Sequence, residues 1–205
     1  MPELSASVLV LACSHRSGGN SDAAAELVAR GVREAGGAAQ VVAVRDYQVL
    51  ACLACRACAT DPQSRCVLRD KDQAEELFAL LLAAPSVVFV SPIYFYALPS
   101  LCKVWIDRSQ RFWEARRKGE AWLLALPERQ GFACLVAGQP AGQKLFDGAR
   151  LTLKYFLVNF SITLAEPVGL RGKDERGDLE ADPLAVDRAL ALGREAWAAA
   201  QGVLT

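Results

Sequence analysis

Four cysteines form the densest chemical cluster in this chain: Cys52-Leu-Ala-Cys55-Arg-Ala-Cys58, then Cys66 after a seven-residue gap. Thiolates are soft metal ligands. Closely spaced cysteines with a more distant one suit a cubane iron-sulfur cluster, whereas structural zinc usually takes two separated pairs. A [4Fe-4S] cluster is the expected occupant, with zinc or a metal-free redox thiol set as alternatives. Cys13, Cys102 and Cys134 lie in apolar runs and read as small buried hydrophobes.

A second chemical set is Ser14-His15-Arg16-Ser17-Gly18-Gly19-Asn20-Ser21. It combines hydroxyl and amide donors, a permanent cation and a helix start, which presents unpaired N–H groups to an anion. Neither a GxGxxG nor a GxxxxGK[ST] pattern is present, so a terminal monophosphate fits better than a dinucleotide or triphosphate. The alternative is a plain turn using Ser, Gly and Asn for their backbone preferences. The third set is Ser91-Pro92-Ile93-Tyr94-Phe95-Tyr96-Ala97-Leu98-Pro99, whose aromatics suit a flat isoalloxazine ring. Alone these rings would be core packing; beside a phosphate loop they favour FMN.

No Ser/His/Asp set or carboxylate pair points to hydrolysis. No side chain is assigned a catalytic role, and the chemistry is expected to be the cofactors'. His15, the one histidine, reads as a loop residue contacting solvent or phosphate. Arg108, Arg111, Arg116, Arg117 and Lys118 read as a solvated helix end. Their other reading is a site attracting a nicotinamide dinucleotide phosphate or an acidic electron-transfer partner.

These sets need elements to hold them. Apolar runs at 8–13, 40–44, 87–90, 132–136 and 162–168 read as short buried strands. Helical spacing falls at 21–36, 72–85, 100–118, 144–159 and from Asp182-Pro183 onward, where Asp suits the cap and Pro the first helical position. The cysteines occupy a loop at 47–70, and 169–182 reads as an exposed loop. Alternating strands and helices predict an α/β, flavodoxin-like, doubly wound parallel five-stranded sheet in the order 2-1-3-4-5 with an inserted cysteine-rich loop. In that order the turns after the first and third strands flank one crevice.

The 205 residues suit a single domain spanning 1–205. With 23 basic and 23 acidic residues, the balance excludes the electrostatic footprint of a general nucleic-acid binder. The start, Met1 to Ser7, lacks the basic region of a signal peptide, and no run reaches membrane-spanning length. Seven cysteines without an export signal imply a reducing, cytoplasmic setting.

Together, residues 14–21, the cysteine loop with Cys66-Val-Leu-Arg-Asp70, Ser91-Pro92-Ile93-Tyr94-Phe95 and Leu101-Cys-Lys-Val-Trp-Ile-Asp-Arg108 resemble the iron-sulfur flavoprotein family. That family is a branch of the NADPH-dependent FMN reductase and flavodoxin-like flavoproteins. The resemblance implies phosphate binding by Ser14, Arg16, Asn20 and Ser21, with Pro92, Ile93, Tyr94 and Phe95 around the isoalloxazine. Gly138 and Gln139 would complete the pocket, and Cys52, Cys55, Cys58 and Cys66 would ligate the [4Fe-4S] cluster. It implies an electron-transfer oxidoreductase forming a homodimer or homotetramer, with a small-molecule or protein electron partner such as NAD(P)H. Two departures stand out: Cys13 replaces a glycine common before the phosphate-loop serine, and 138–142 is poorer in glycine than usual. The other readings are an FMN-dependent NAD(P)H:quinone or nitro-compound reductase whose cysteines hold zinc or nothing, and a non-catalytic redox sensor.

Overall fold

The computed structural model describes residues 6–204; most of the N-terminal stretch read above for a leader lies outside them. In β1 (Ser7–Ala12), residues 8–12 are all buried, and their side chains alternate between the two faces of the sheet. Leu9, Leu11 and Cys13 enter one apolar cluster; Val8, Val10 and Ala12 enter the other. The first cluster is rich in rings, with Phe78, Phe89, Trp105, Phe112, Phe156 and Phe160 packed together. The second is aliphatic and lies under α1 (Asn20–Glu34) and α8 (Pro183–Leu204).

β1 pairs in parallel with β2 (Ala38–Ala43) and β3 (Ser86–Pro92), and β3 with β4 (Arg129–Val136), giving the order β2-β1-β3-β4-β5 expected from sequence. The last predicted strand is in fact two. β5 (Ile162–Leu164) pairs with residues 129–131, and β6 (Val168–Leu170) with 134–136. Pro167, which has no N–H to give a ladder, lies in the break between them.

The helical stretch predicted over 100–118 also divides, into α4 (Ser100–Asp107) and α5 (Gln110–Lys118). Arg108 at the bend is buried, unlike the solvated helix end expected for the basic residues, whereas Arg117 and Lys118 in the last turn of α5 are exposed as expected. Two short helices went unpredicted: α2 (Ala57–Thr60) within the cysteine loop and α6 (Ala121–Leu124). The remaining helices are α3 (Ala74–Ala83) and α7 (Asp147–Leu157).

α1 and α8 cross in backbone contact. A Cβ on Gly31 would lie 2.1 Å from the Leu190 carbonyl oxygen, and one on Gly193 would lie 2.0 Å from that of Val28. Only glycine permits this approach, which fixes the helix that begins at the phosphate loop. Asp182 caps α8 as predicted, accepting from Leu184 N at 3.0 Å and Ala185 N at 3.3 Å. Among the described residues no helix is long and apolar enough to cross a membrane.

Candidate functional site

The turn between β1 and α1 is braced from several sides. The Ser14 hydroxyl accepts from Arg16 N at 3.1 Å and donates to Arg16 O at 3.0 Å. Asp22 accepts from Gly18 N at 2.8 Å and pairs with Arg45, which also donates to Ser14 O at 3.2 Å. In the first turn of α1, Asp22 N donates to Gly19 O at 3.0 Å, whereas the N–H groups of Asn20 and Ser21 precede any intrahelical acceptor; both residues line the crevice beyond the carboxyl ends of the strands. His15 serves a different element: its Nε2 accepts from Leu101 N at 3.1 Å, at the start of α4. Its ring also meets Tyr94 edge-on at 6.0 Å, so it ties two of the loops together.

The turn after β3 carries stored strain. Phe95 and Tyr96 adopt φ of 50° and 63°, closed by reciprocal hydrogen bonds of 3.0 Å between Tyr94 and Ala97. Such a turn ordinarily uses Gly or Asn. Here it holds two aromatics, and Phe95 is 100% exposed. Backbone strain of this kind persists where surrounding structure imposes it, commonly at functional sites.

All ten residues predicted to bind the cofactor line one cavity of about 640 Å³: Ser14, Arg16, Asn20, Ser21, Pro92, Ile93, Tyr94, Phe95, Gly138 and Gln139. They come from three separate turns. The structure alters one expected contact, because the Asn20 carboxamide points elsewhere. It donates to Lys173 O at 3.0 Å and Glu175 O at 2.8 Å, and accepts from Leu179 N at 3.3 Å. Both amide hydrogens are thereby used, leaving the Asn20 main chain to meet an anion.

Asn20 is anchoring a strap that the sequence reading left as an exposed loop. Of residues 171–182, Lys173 and Asp174 line the cavity. A Cβ on Gly138 would lie 2.6 Å from the Asp174 carboxylate, and one on Gly18 would lie 3.0 Å from Arg176 Nη2. Arg16 lies similarly over Gly19, at 3.1 Å. Two guanidiniums therefore flank the turn between β1 and α1. Lys173 is paired with Asp182 at 2.9 Å, so the strap is tied at that end too.

A second cavity, of about 510 Å³, has Cys52, Cys55, Cys58 and Cys66 in its wall, with Arg108, Arg111 and Glu114 from α4 and α5. The loop bearing them is strained, with positive φ at Ala54, Arg56 and Ser64. Lys118 pins it by donating to Cys58 O at 3.0 Å and Asp61 O at 2.6 Å. Burial pushes the Cys58 thiol up, and nearby Glu114, Cys66 and Cys52 push it further. The thiols share a wall without being gathered about one point: among the described residues, no three of His, Cys, Asp and Glu are placed to hold a metal ion. A single tetrahedral ion would need them drawn in to bonds of about 2.3 Å.

The base of this loop hangs on Asp72. It accepts from Leu50 N at 2.8 Å and Ala74 N at 3.2 Å and pairs with Arg108, both side chains essentially inaccessible. Burial disfavours its charge, but these donors outweigh that and hold its carboxyl below the ordinary 3.8. A carboxyl depressed on folding contributes stability that is complete above its unfolded value and is lost as pH falls through the folded one. Amide exchange of residues 47–72 is accordingly expected to rise as pH falls below the ordinary carboxylate range, before exchange in the β-strands does.

The parallel order, together with a cavity at the point where the sheet reverses direction, defines a flavodoxin-like fold. The chain belongs to the NADPH-dependent FMN reductase family, whose model matches residues 6–132, and it is thus of an oxidoreductase class. Among solved structures it is similar to a flavone reductase at 14% identity, covering 97% of this chain and 64% of that one, with a TM-score of 0.69. It also resembles an NAD(P)H:quinone oxidoreductase from Methanothermobacter marburgensis at 15% identity, 93% and 96% coverage and a TM-score of 0.67. A third is the Trp repressor binding protein from Bacillus subtilis, at 18% identity, 90% and 96% coverage and a TM-score of 0.63. At these identities the likeness is one of fold. No curated protein matches the chain. The strap at 171–182 lies beyond the residues matched by the family model.

Proposed function

We propose that the chain is a single-domain NAD(P)H-dependent oxidoreductase that holds FMN in the 640 Å³ cavity and passes electrons to a quinone, nitro compound or free flavin. One observation carries this reading: ten residues chosen from three distant segments converge on one cavity at the sheet's reversal point. FMN, when bound, supplies the exchange between two-electron and one-electron chemistry. The chain's own groups bind and orient. Ser14, Ser21, the Asn20 main chain and the Arg16 and Arg176 guanidiniums face the phosphate; Tyr94 and Phe95, beside Gly138 and Gln139, hold the ring. The exposed stripe of Leu151 and Tyr155 on α7, continued by Val158 just after it, supports a homodimer or homotetramer.

Purified protein is expected to bind added FMN and, with it, to oxidise NADPH or NADH when a quinone is supplied. Protein that refuses FMN would overturn the reading. Protein that binds FMN without turnover would instead favour the redox-sensor alternative.

The four-cysteine cavity supports a second element of the proposal, a [4Fe-4S] cluster held by Cys52, Cys55, Cys58 and Cys66 that makes the enzyme an iron-sulfur flavoprotein. Its support is that four thiols from a strained loop line one space. Cys58→Ala is expected to abolish iron and sulfide uptake on anaerobic reconstitution and to leave FMN affinity unchanged. Zinc without sulfide in the wild type would replace the cluster by a structural ion.

A further inference from the structure

Arg108 is the most anomalous polar residue in the molecule. Its residue exposure is 2%, and its Nη1 is fully used, donating to Leu50 O at 3.0 Å and to Asp72. Yet Nε and Nη2 find no hydrogen-bond partner among the described residues. Buried donors of a charged group are rarely left unmade, because the lost hydration is not returned. Arg108 lines the four-cysteine cavity. Burial lowers its pKa, but Asp72 and the sulfur of Cys66 outweigh burial and hold it above its ordinary value. Arg111, on the same wall, differs: both arms of its fork are on Glu75, and its guanidinium covers the Phe112 ring at 3.8 Å.

We propose that Arg108 is a positioning residue for the cysteine-bound centre, its Nε–H and Nη2–H donating to ligand sulfur, Cys66 foremost, and so raising the centre's reduction potential. This rests on the reading that the four cysteines hold an iron-sulfur cluster. Asp72 already balances the charge of Arg108, so what the cavity receives is a pair of directed donors. N–H donors to ligand sulfur stabilise the more negative, reduced state, and outer-shell donors also fix ligand orientation. The fork geometry allows one guanidinium to hold Asp72 and Leu50 with one nitrogen while offering two others to sulfur; an ammonium cannot do both.

Arg108→Lys keeps the ion pair with Asp72 and removes the fork, while Arg111→Gln changes charge on the same wall without touching the thiols. Each variant and the wild type would be reconstituted anaerobically with ferrous iron and sulfide, FMN binding serving as the check on folding, and the cluster midpoint followed by redox titration. A more negative midpoint in Arg108→Lys, with Arg111→Gln at the wild-type value, is expected; should Arg108→Lys lose the cluster, the pulsed EPR below decides. An unchanged midpoint in Arg108→Lys, or an equal shift in Arg111→Gln, would overturn the role of Arg108 and leave the cluster standing. Failure of the wild type to take up iron and sulfide would overturn the cluster itself. Should Arg108→Lys not fold, pulsed EPR of the reduced wild type labelled with [15N]arginine decides: a guanidinium nitrogen coupling is expected, and its absence would overturn the inference.

Discussion

Removing Arg16 and Arg176 together, as alanines, is expected to weaken FMN binding on the order of 100-fold or more while leaving riboflavin affinity where it was. The two ligands differ only by the phosphate, a monoester carrying about −1.5 to −2 charges at neutral pH. Two guanidiniums near the Ser14 to Ser21 turn, one over Gly19 and one over Gly18, balance that charge. A hydrogen bond to a charged group contributes about 1.5–3 kcal/mol, roughly a factor of ten or more for each arginine. Both side chains are exposed, so the lower end applies and the effect shrinks at high salt. Neither variant removes buried surface, which keeps the fold out of the comparison. Flavin fluorescence titrations with both ligands at low and high ionic strength would measure it. An equal loss for riboflavin would mean that the arginines shape the ring pocket, and no loss would mean that the phosphate lies elsewhere.

Arg176 also marks the limit of what the sequence disclosed. That the turn after β1 borders the cavity was legible because its chemistry is local: hydroxyls, a cation and glycines within eight residues at a helix start. The sheet order was legible because buried parallel strands are continuous apolar runs, such as residues 87–90. The strap was not, since its position depends on Asn20 reaching across 153 residues to Lys173 O. A long-range hydrogen bond leaves no local periodicity; Gly and charge at 169–182 read equally well as a free loop. The signal that was available is the unusual burial demand of an asparagine at a helix start, which needs acceptors from somewhere. Arg108 misled for a related reason. Five basic residues within 108–118 look like a solvated helix end, but the bend at Arg108-Ser109 turns the first of them inward. The fifth strand was read as continuous because Pro167 was not weighed as a break.

Arg129 stands at the opposite end of the sheet from the cavity, and its replacement by methionine is expected to be among the most destabilising single changes available. It is buried with no acidic partner among the described residues, and burial alone lowers its pKa to about 10, so it remains charged at neutral pH. That lowering is the electrostatic cost of holding the charge away from water. Methionine would relieve this cost. The guanidinium, however, donates to Leu81 O at 3.0 Å, Leu82 O at 3.2 Å, Ala84 O at 2.6 Å and Phe160 O at 3.0 Å. The first two are carbonyls of the last turn of α3, where the helix has no acceptors' partners of its own and a negative dipole end. Each buried carbonyl left without a donor costs about 1–3 kcal/mol, so four of them outweigh the relief. A net loss of about 3–5 kcal/mol follows, equivalent to a melting temperature lower by about 10 °C in a chain of this size. Arg129→Lys should lie between, because one ammonium can reach the α3 carbonyls but not Phe160 O as well. Calorimetry of both variants checks the order; a methionine variant as stable as the wild type would show that the burial cost, and not the four carbonyls, decides the balance.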